Sequence, residues 1–318
     1  MRLHEAPAVA EVVRGSFVES VHHGVAAVTA ADGAVARAVG DAEVVILARS
    51  AFKPLQAVAA LSAGAPLDGS ALALACASHA GEAFHLAGVR GMLAAAGLDE
   101  AALQNTPALP DDARARAAWL RDGLGPAAIA QNCSGKHAGM LTACRASGWS
   151  CADYLDVEHP LQKKIRSVVA DFTGVPVVAT EVDGCGAPTH GFALAGLARA
   201  FGRLACATDG PARRVADAMR AHPAHVGGTG RPDTELMAAV PGLIAKIGAE
   251  AVMAVGSPDG RGFAVKIVDG GDRAARVVMA ALLREHGVDA AACAALADVP
   301  VLGHGAAVGS VRAIVPEA

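Results

Sequence analysis

The two ends of the chain are rich in strand-forming residues, whereas the long stretch between them is helical in character. Residues 54–245 consist largely of Ala-rich segments broken by Gly and Pro, which is typical of a series of helices. Val-rich segments and a tight turn at Asp32-Gly33 are typical of antiparallel strands. The predicted strands are residues 11–20, 24–30, 34–39, 44–47, 251–255 and 263–269, and a helix is predicted over residues 272–286.

This arrangement predicts a mixed α/β (α+β) fold, with one antiparallel sheet built from both chain ends and packed with helices. We expect a single domain over all 318 residues. Within it, residues 1–50 and 245–318 form a sheet-containing subdomain, and residues 51–244 form a mainly helical one. A cleft between the two would suit a ligand.

Composition excludes several classes of function. The net charge of −4 gives no basic surface for a nucleic acid. No apolar run is long enough to span a membrane, and the first residues lack the apolar core of a signal peptide. The seven cysteines are odd in number and scattered, which favours free thiols in a reducing compartment. We therefore expect a cytoplasmic protein.

Ser50 and Lys53 stand three residues apart where a strand leads into a helix. Residues i and i+3 share a helix face, so the lysine amine can reach the serine hydroxyl. A neutral lysine can take the proton of a serine and make it a nucleophile, and burial or nearby positive charge favours the neutral form. Pro54 suits a first helical turn. An isolated Ser-x-x-Lys is weak evidence, because a helix-start serine with a surface lysine is the commoner case.

Lysine is scarce in this chain. Of the 27 Lys and Arg residues only six are Lys, and three of these lie in the motifs considered below or in Ser50-x-x-Lys53. Arg cannot lose its proton at accessible pH, whereas Lys can. The scarcity therefore favours a chemical role for the lysines in motifs.

Polar side chains cluster in two glycine-containing stretches. Ser78, His79 and Glu82 lie within five residues of one another, and a loop with a helix cap is the structural alternative. The second stretch, which begins at Asp183 and includes Cys185, contains two glycines that let the backbone approach a ligand closely.

Three further stretches contain side chains that can take part in chemistry, and two of them also have a purely structural interpretation. Cys133, Lys136 and His137 have i, i+3, i+4 spacing and can line one face of a helical turn. Lys266 lies mid-strand, where a solvent-facing side chain is the simpler interpretation. The sequence Arg-Pro-Asp-Thr at residues 231–234 favours a helix N-terminus over a ligand-contact loop.

Taken together, these motifs resemble the rhizobial-type L-asparaginases, also called class 3 or the asparaginase II family. The resemblance runs from about Val12 to Asp269 and departs from the family's commoner residues at Ala80 and at Ala51-Phe52. Each motif is weak alone, whereas their combination in this order is specific. The motifs are Ser50-x-x-Lys53-Pro-Leu-Gln, Cys76-Ala-Ser78-His79-x-Gly81-Glu82, Cys133-Ser-Gly-Lys136-His137-Ala-Gly-Met and Asp183-Gly-Cys185-Gly-Ala-Pro.

The resemblance implies a fold similar to serine β-lactamases and glutaminases, and hydrolysis of L-asparagine to L-aspartate and ammonia. It implies that Ser50 is the nucleophile with Lys53 as its base, and that Ser78 and Lys266 form a second Ser-Lys pair. It also implies a homodimer. The implied zinc ligands are Cys133, Lys136 and Cys185, and the residues implied to border the substrate pocket are Arg49, His137 and Asp183.

Three alternatives stay open at this point. A β-lactamase or penicillin-binding-type hydrolase shares the Ser-x-x-Lys, but Lys266-Ile-Val stands where those enzymes have Lys-Thr-Gly. A glutaminase differs only in its preferred amide. A non-catalytic protein that binds zinc or an amino acid would show no turnover.

Overall fold

The computed structural model describes residues 3–316, and within these it contains eleven β-strands and twelve α-helices. The strands are β1 (Ala8–Arg14), β2 (Phe17–Thr29), β3 (Val35–Val39), β4 (Val45–Leu47), β5 (Ala179–Val182), β6 (Pro188–Ala193), β7 (Ile244–Gly248), β8 (Val252–Gly256), β9 (Gly262–Ile267), β10 (Pro300–Gly303) and β11 (Ala306–Ala313). The helices are α1 (Lys53–Ser62), α2 (Gly69–Ala75), α3 (Ala83–Ala95), α4 (Ala113–Arg121), α5 (Ser134–Ser147), α6 (Pro160–Thr173), α7 (Leu194–Ala205), α8 (Gly210–Ala221), α9 (Pro223–Val226), α10 (Pro232–Ala239), α11 (Asp272–Glu285) and α12 (Ala290–Ala297). No helix of residues 3–316 combines the length and apolar character needed to cross a bilayer.

Eight strands form one antiparallel sheet in the order β10-β11-β1-β2-β9-β8-β7. The eighth, β3, pairs with the second half of the long strand β2. The sheet thus joins the N-terminal strands to the C-terminal ones through the β2–β9 pair, in which Ala27 lies opposite Ala264. This confirms the predicted mixed α/β fold with a sheet built from both chain ends.

The centre of the sheet is covered by helices. Every residue of β8 and β9 is buried, which requires cover on both faces, and helices α7 and α11 both pack against β9. The helix–sheet approach is close at Gly262, where a Cβ atom would lie 1.8 Å from the carbonyl oxygen of Ala198 in α7. Only glycine fits there, so the sequence permits the two layers to meet directly.

A second, three-stranded sheet, in the order β4-β6-β5, joins one strand from the N-terminal part of the chain to two strands from the mainly helical part. The predicted strand 44–47 corresponds to β4, but it pairs with β6 and not with the large sheet. Strands β5 and β6 were not predicted. All of β6 is buried, so its sequence Pro-Thr-His-Gly-Phe-Ala lacks the alternation that marks a half-exposed strand.

Other boundaries also differ from the sequence prediction. The predicted strand 11–20 is broken by a tight turn at Gly15, whose φ is +59°, and the chain reverses to pair Arg14 with Phe17. The C-terminal hairpin β10–β11 was not predicted. The turn at Gly33 and the helix over 272–286, which is α11, are confirmed.

Candidate active site

Ser50 lies in a single 3₁₀ turn, Arg49–Phe52, between strand β4 and helix α1. The backbone N–H of Ala51 donates to the carbonyl of Ala48 and closes this turn. Arg49 has a φ of +49°, a left-handed conformation that costs a non-glycine residue about 1–3 kcal/mol and is frequent at functional sites. Ser50 itself is half-buried. The turn therefore presents Ser50 next to a strained arginine.

Arg49 is fixed by an ion pair with Asp183, the residue that follows β5. Its Nε donates to Asp183 Oδ1 at 2.7 Å. Although burial opposes it, the positive charges of Lys136 and Arg49 hold the pKa of the Asp183 carboxyl below its usual range. The small sheet thus places a paired cation and anion beside Ser50, because β4 leads into Arg49 and β5 leads into Asp183.

Lys53 begins helix α1, and Pro54 follows it in the first turn, as the sequence predicts. Its side chain is buried, with 1 % of its surface exposed. Lys53 Nζ donates to the Ala77 carbonyl at 2.6 Å, to Ser78 Oγ at 2.9 Å and to Cys133 Sγ at 3.1 Å. None of these three contacts is made to Ser50.

The resemblance implies a Ser78–Lys266 pair, whereas the lysine that donates to Ser78 Oγ in this structure is Lys53. Lys266 Nζ donates to the backbone carbonyls of Glu250 and Ile267 instead. Glu250 has a φ of +59° in the turn between β7 and β8, and this turn offers its carbonyl to the lysine. Lys266 is also buried and does not face solvent. Burial, aided by the charge of Arg49, lowers its pKa.

From the stretch that contains Ser78, His79 and Glu82, the Ser78 side chain contributes to the site through its hydrogen bond from Lys53. His79 is fully buried and shares a hydrogen bond with Ser134 Oγ, and burial lowers its pKa well below the usual value, so the imidazole is neutral. Glu82 caps helix α3 through a capping box with His85. The predicted loop with a helix cap therefore accounts for Glu82, while Ser78 points to Lys53.

Cys133, Lys136 and Cys185 meet in a buried cluster. Cys133 directly precedes helix α5, and Lys136 lies in its first turn. Lys136 Nζ donates to Cys185 Sγ at 2.9 Å. The turn after Asp183, in which Gly186 has a φ of +88°, brings Cys185 to the two residues of α5. The i, i+3 spacing and the glycine turn thus bring together the three residues that the resemblance assigned to zinc.

The pKa values of the two thiols shift in opposite directions. The hydrogen bond from Cys185 lowers the pKa of Cys133 well below its usual value, and the ammonium groups of Lys53 and Lys136 act in the same direction against burial. The same hydrogen bond and burial raise the pKa of Cys185. Despite its burial, Lys136 has a raised pKa because the two sulfur atoms favour its charged form. The cluster thus favours a negative charge on its pair of sulfur atoms and a positive charge on Lys136.

This donor set is compatible with a soft metal ion. Zinc binds thiolates and nitrogen ligands, and both the Lys136 amine and Cys133 interact with Cys185. Binding would require Cys185 and Lys136 to release their protons, so metal affinity would rise with pH. No group of three or more His, Cys, Asp and Glu side chains within residues 3–316 is arranged to hold a metal, so Lys136 would have to serve as a ligand.

His137 follows Lys136 and is fully buried. Its Nδ1 shares a hydrogen bond of 2.7 Å with the hydroxyl of Tyr154, and its Nε2 has no hydrogen-bond partner among the described residues. Burial, together with Lys136 and Lys53, lowers the pKa of His137 well below its usual value, so the ring is neutral. Tyr154 orients the ring and leaves one nitrogen unused.

Sequence reasoning did not predict that Lys246 and Asp233 form a buried ion pair. Lys246, on β7, is completely buried and lies 3.6 Å from Asp233 in the first turn of α10. Residues 231–234 do begin a helix, as predicted, but Asp233 also pairs with this lysine. The rarity of lysine was a usable signal for Lys246, since it is one of the six.

Comparison with known proteins places these residues in a family. The family model for L-asparaginase II matches residues 10–313. A solved β-lactamase from Mycobacterium bovis is 18 % identical, with a TM-score of 0.47 over 89 % of this chain and 97 % of that chain. No curated protein matches the chain significantly in sequence. Because the family model covers nearly the whole chain, the protein belongs to the L-asparaginase II family and is an asparaginase-type amidohydrolase.

Proposed function

We propose that this protein hydrolyses L-asparagine to L-aspartate and ammonia, with Ser50 as the nucleophile. The observation that carries the proposal is the buried Lys53, whose Nζ contacts Ser78 Oγ at 2.9 Å directly beside the Ser50 turn. A lysine that follows one serine by three residues and contacts a second serine can move protons between them. Membership of the L-asparaginase II family supplies the substrate class.

The reaction follows from these positions. Ser50 Oγ attacks the side-chain amide carbon of asparagine while its proton passes to neutral Lys53. The carbon–nitrogen bond breaks, and the proton returns through Ser78 to the departing nitrogen, which leaves as ammonia. Water then hydrolyses the aspartyl ester of Ser50, and the same groups accept and return the proton. Lys266 contributes positive charge to the site and receives no proton in this scheme.

The substrate contacts match the charges of a free amino acid. Arg49 can bind the α-carboxylate and Asp183 the α-ammonium group, because the two residues hold opposite charges at 2.7 Å from each other. The neutral His137, with its unused Nε2, can donate or accept a hydrogen bond from the polar groups of the substrate. The pocket would therefore favour small zwitterionic amides.

Zinc is proposed as a bound ion held by Cys133, Lys136 and Cys185. When bound, it would neutralise the negative charge of the thiolates and polarise nearby substrate oxygens. The protein's own contribution is to hold Cys133 against Lys53 at 3.1 Å, which links the thiol cluster to the proton-transfer pair. A homodimer is proposed from the family resemblance, and light scattering at working concentration tests it.

The test is ammonia release from L-asparagine and L-glutamine, alongside cleavage of the β-lactam nitrocefin, by the wild type and by Ser50→Ala. We expect turnover of asparagine above glutamine, no cleavage of nitrocefin, and no turnover by the variant. Faster release from glutamine would indicate a glutaminase, and cleavage of nitrocefin a β-lactamase-type hydrolase. Calorimetric binding of asparagine without turnover would indicate a non-catalytic binding protein.

A further inference from the structure

Lys246 and Asp233 are both completely buried, and the proposed mechanism uses neither. Lys246 Nζ and Asp233 Oδ2 are 3.6 Å apart. Burying two charges costs several kcal/mol for each ion, and their attraction offsets this cost only when further hydrogen bonds satisfy both groups. The partners of this pair therefore indicate its role.

The pair binds the free edge of the large sheet at one residue, Ile247. Strand β7 is the last strand of the sheet, so some of its N–H and C=O groups have no neighbouring strand. The Ile247 N–H donates to Asp233 Oδ2 at 3.3 Å, and the Ile247 carbonyl accepts from Lys246 Nζ at 2.8 Å. The two charged side chains thus occupy both polar groups of one edge residue. Asp233 also connects this edge to the start of helix α10.

The next residue, Gly248, rests on the backbone of the Ser50 turn. A Cβ atom on Gly248 would lie 2.9 Å from Ala51 N and 3.0 Å from the Ala48 carbonyl oxygen. These two atoms form the hydrogen bond that closes the turn, at 3.1 Å. No side chain separates the strand from the turn, so displacement of the β7 edge would displace Ser50.

We propose that the Lys246–Asp233 pair is a positioning device for Ser50, acting through Ile247 and Gly248. This inference rests on the proposed function, in which Ser50 attacks the substrate. A displacement of about 1 Å at a reacting atom can cost roughly a hundredfold in rate. Lys246 and Asp233 are therefore positioning residues, and neither touches the substrate.

The experiment compares Lys246→Met and Asp233→Asn with the wild type by amide hydrogen exchange and by kinetics. Exchange is followed in the segment 48–53, which contains the Ala51 N–H. We expect both variants to exchange this segment roughly tenfold faster and to lower kcat by roughly tenfold, with KM changed less than about twofold. Asp233→Asn keeps the shape of the side chain, so it decides the question if Lys246→Met fails to fold.

The double variant tests whether the two residues act as a unit. Each single change already breaks the pair. We therefore expect the double variant Lys246→Met/Asp233→Asn to show an exchange rate in segment 48–53 no higher, and a kcat no lower, than those of the more strongly affected single variant. Thr173→Val is the matched control, since it removes a buried hydrogen bond to Val169 in helix α6. It should leave exchange of segment 48–53 and kcat unchanged.

Unchanged exchange of segment 48–53 in both single variants would overturn the positioning role. So would effects that add fully in the double variant. Hydrogen exchange needs no substrate, so the exchange rate of segment 48–53 tests the positioning role independently of the reaction assigned to the protein. Absence of asparagine turnover by the wild type would count against the proposed function alone.

Discussion

Lys53 and Lys266 are two buried lysines assigned to one site, but they have opposite kinds of partner. Lys53 contacts a serine hydroxyl and a cysteine sulfur, groups that can exchange protons. Among residues 3–316, the hydrogen bonds of Lys266 Nζ go to the backbone carbonyls of Glu250 and Ile267, which cannot exchange protons. The difference indicates that burial alone does not make a lysine a base. We therefore propose proton transfer for Lys53 and an electrostatic role for Lys266.

The largest expected effect is that of Lys53→Arg. Arginine keeps the charge but cannot act as a base at accessible pH, so kcat should fall by at least about a hundredfold. Steady-state ammonia release measures this. Lys163→Arg is the matched control, because Lys163 is exposed and pairs only with Glu158 among the described residues. A Lys53→Arg enzyme with a wild-type rate would remove the distinction between the two lysines.

Cys133→Ala tests whether the cysteine partner of Lys53 matters for function. The change removes the sulfur atom that contacts Lys53 and that is one proposed zinc ligand, so bound zinc should be lost and KM should rise by about tenfold or more. Elemental analysis and kinetics on protein never exposed to chelator measure both effects. Cys206→Ala, at an exposed cysteine, is the control. Wild-type protein without zinc, together with unchanged kinetics in Cys133→Ala, would contradict the metal assignment.

Lys266→Arg should have a smaller effect than Lys53→Arg. The guanidinium can still donate to the two carbonyls, although its larger size will disturb them, and we expect kcat to fall by about tenfold, equivalent to about 1.4 kcal/mol. The same ammonia assay measures it. If Lys266→Arg lost as much activity as Lys53→Arg, the two lysines would have to share one role.

Lys246 extends the comparison to stability. Burial, together with the charges of Lys53 and Arg231, lowers its pKa to about 8, against about 10.4 in an unfolded chain. Between these values the unfolded state binds more protons, so the free energy of unfolding should increase with pH by up to about 1.4 kcal/mol per pH unit. Lys246→Met should lack this increase, which urea unfolding from pH 7 to pH 10 measures. Equal slopes would show that Lys246 does not titrate in this range.

The sequence predicted the parts of this molecule whose signals are local. Local signals predicted that a helix begins near Ser50, with Lys53 and Pro54 in its first turn. Spacing along a helix also predicted that Cys133 and Lys136 lie on one side of the first turn of α5. The antiparallel sheet followed from Val-rich segments at both ends. Strands β5 and β6 were not predicted. Strand β6 is fully buried, so its sequence has no alternating pattern.

The choice of partners was not predictable from local signals. Ser78 is 25 residues from Lys53 and 188 residues from Lys266, and only the packing of helices against the sheet decides which lysine it meets. The Lys246–Asp233 pair depends in the same way on how α10 packs against the edge of β7. A single sequence indicates which side chains are chemically capable, whereas tertiary packing decides which of them meet.

The most direct test of the account is to locate the covalent intermediate. Wild-type protein is mixed with L-asparagine or the slower substrate L-aspartate β-hydroxamate, quenched in acid, and digested for peptide mass spectrometry. We expect an added aspartyl group on Ser50, absent in Ser50→Ala and persisting longer in Lys53→Arg. An aspartyl group on Ser78, or none on either serine while asparagine is turned over, would contradict Ser50 as the nucleophile.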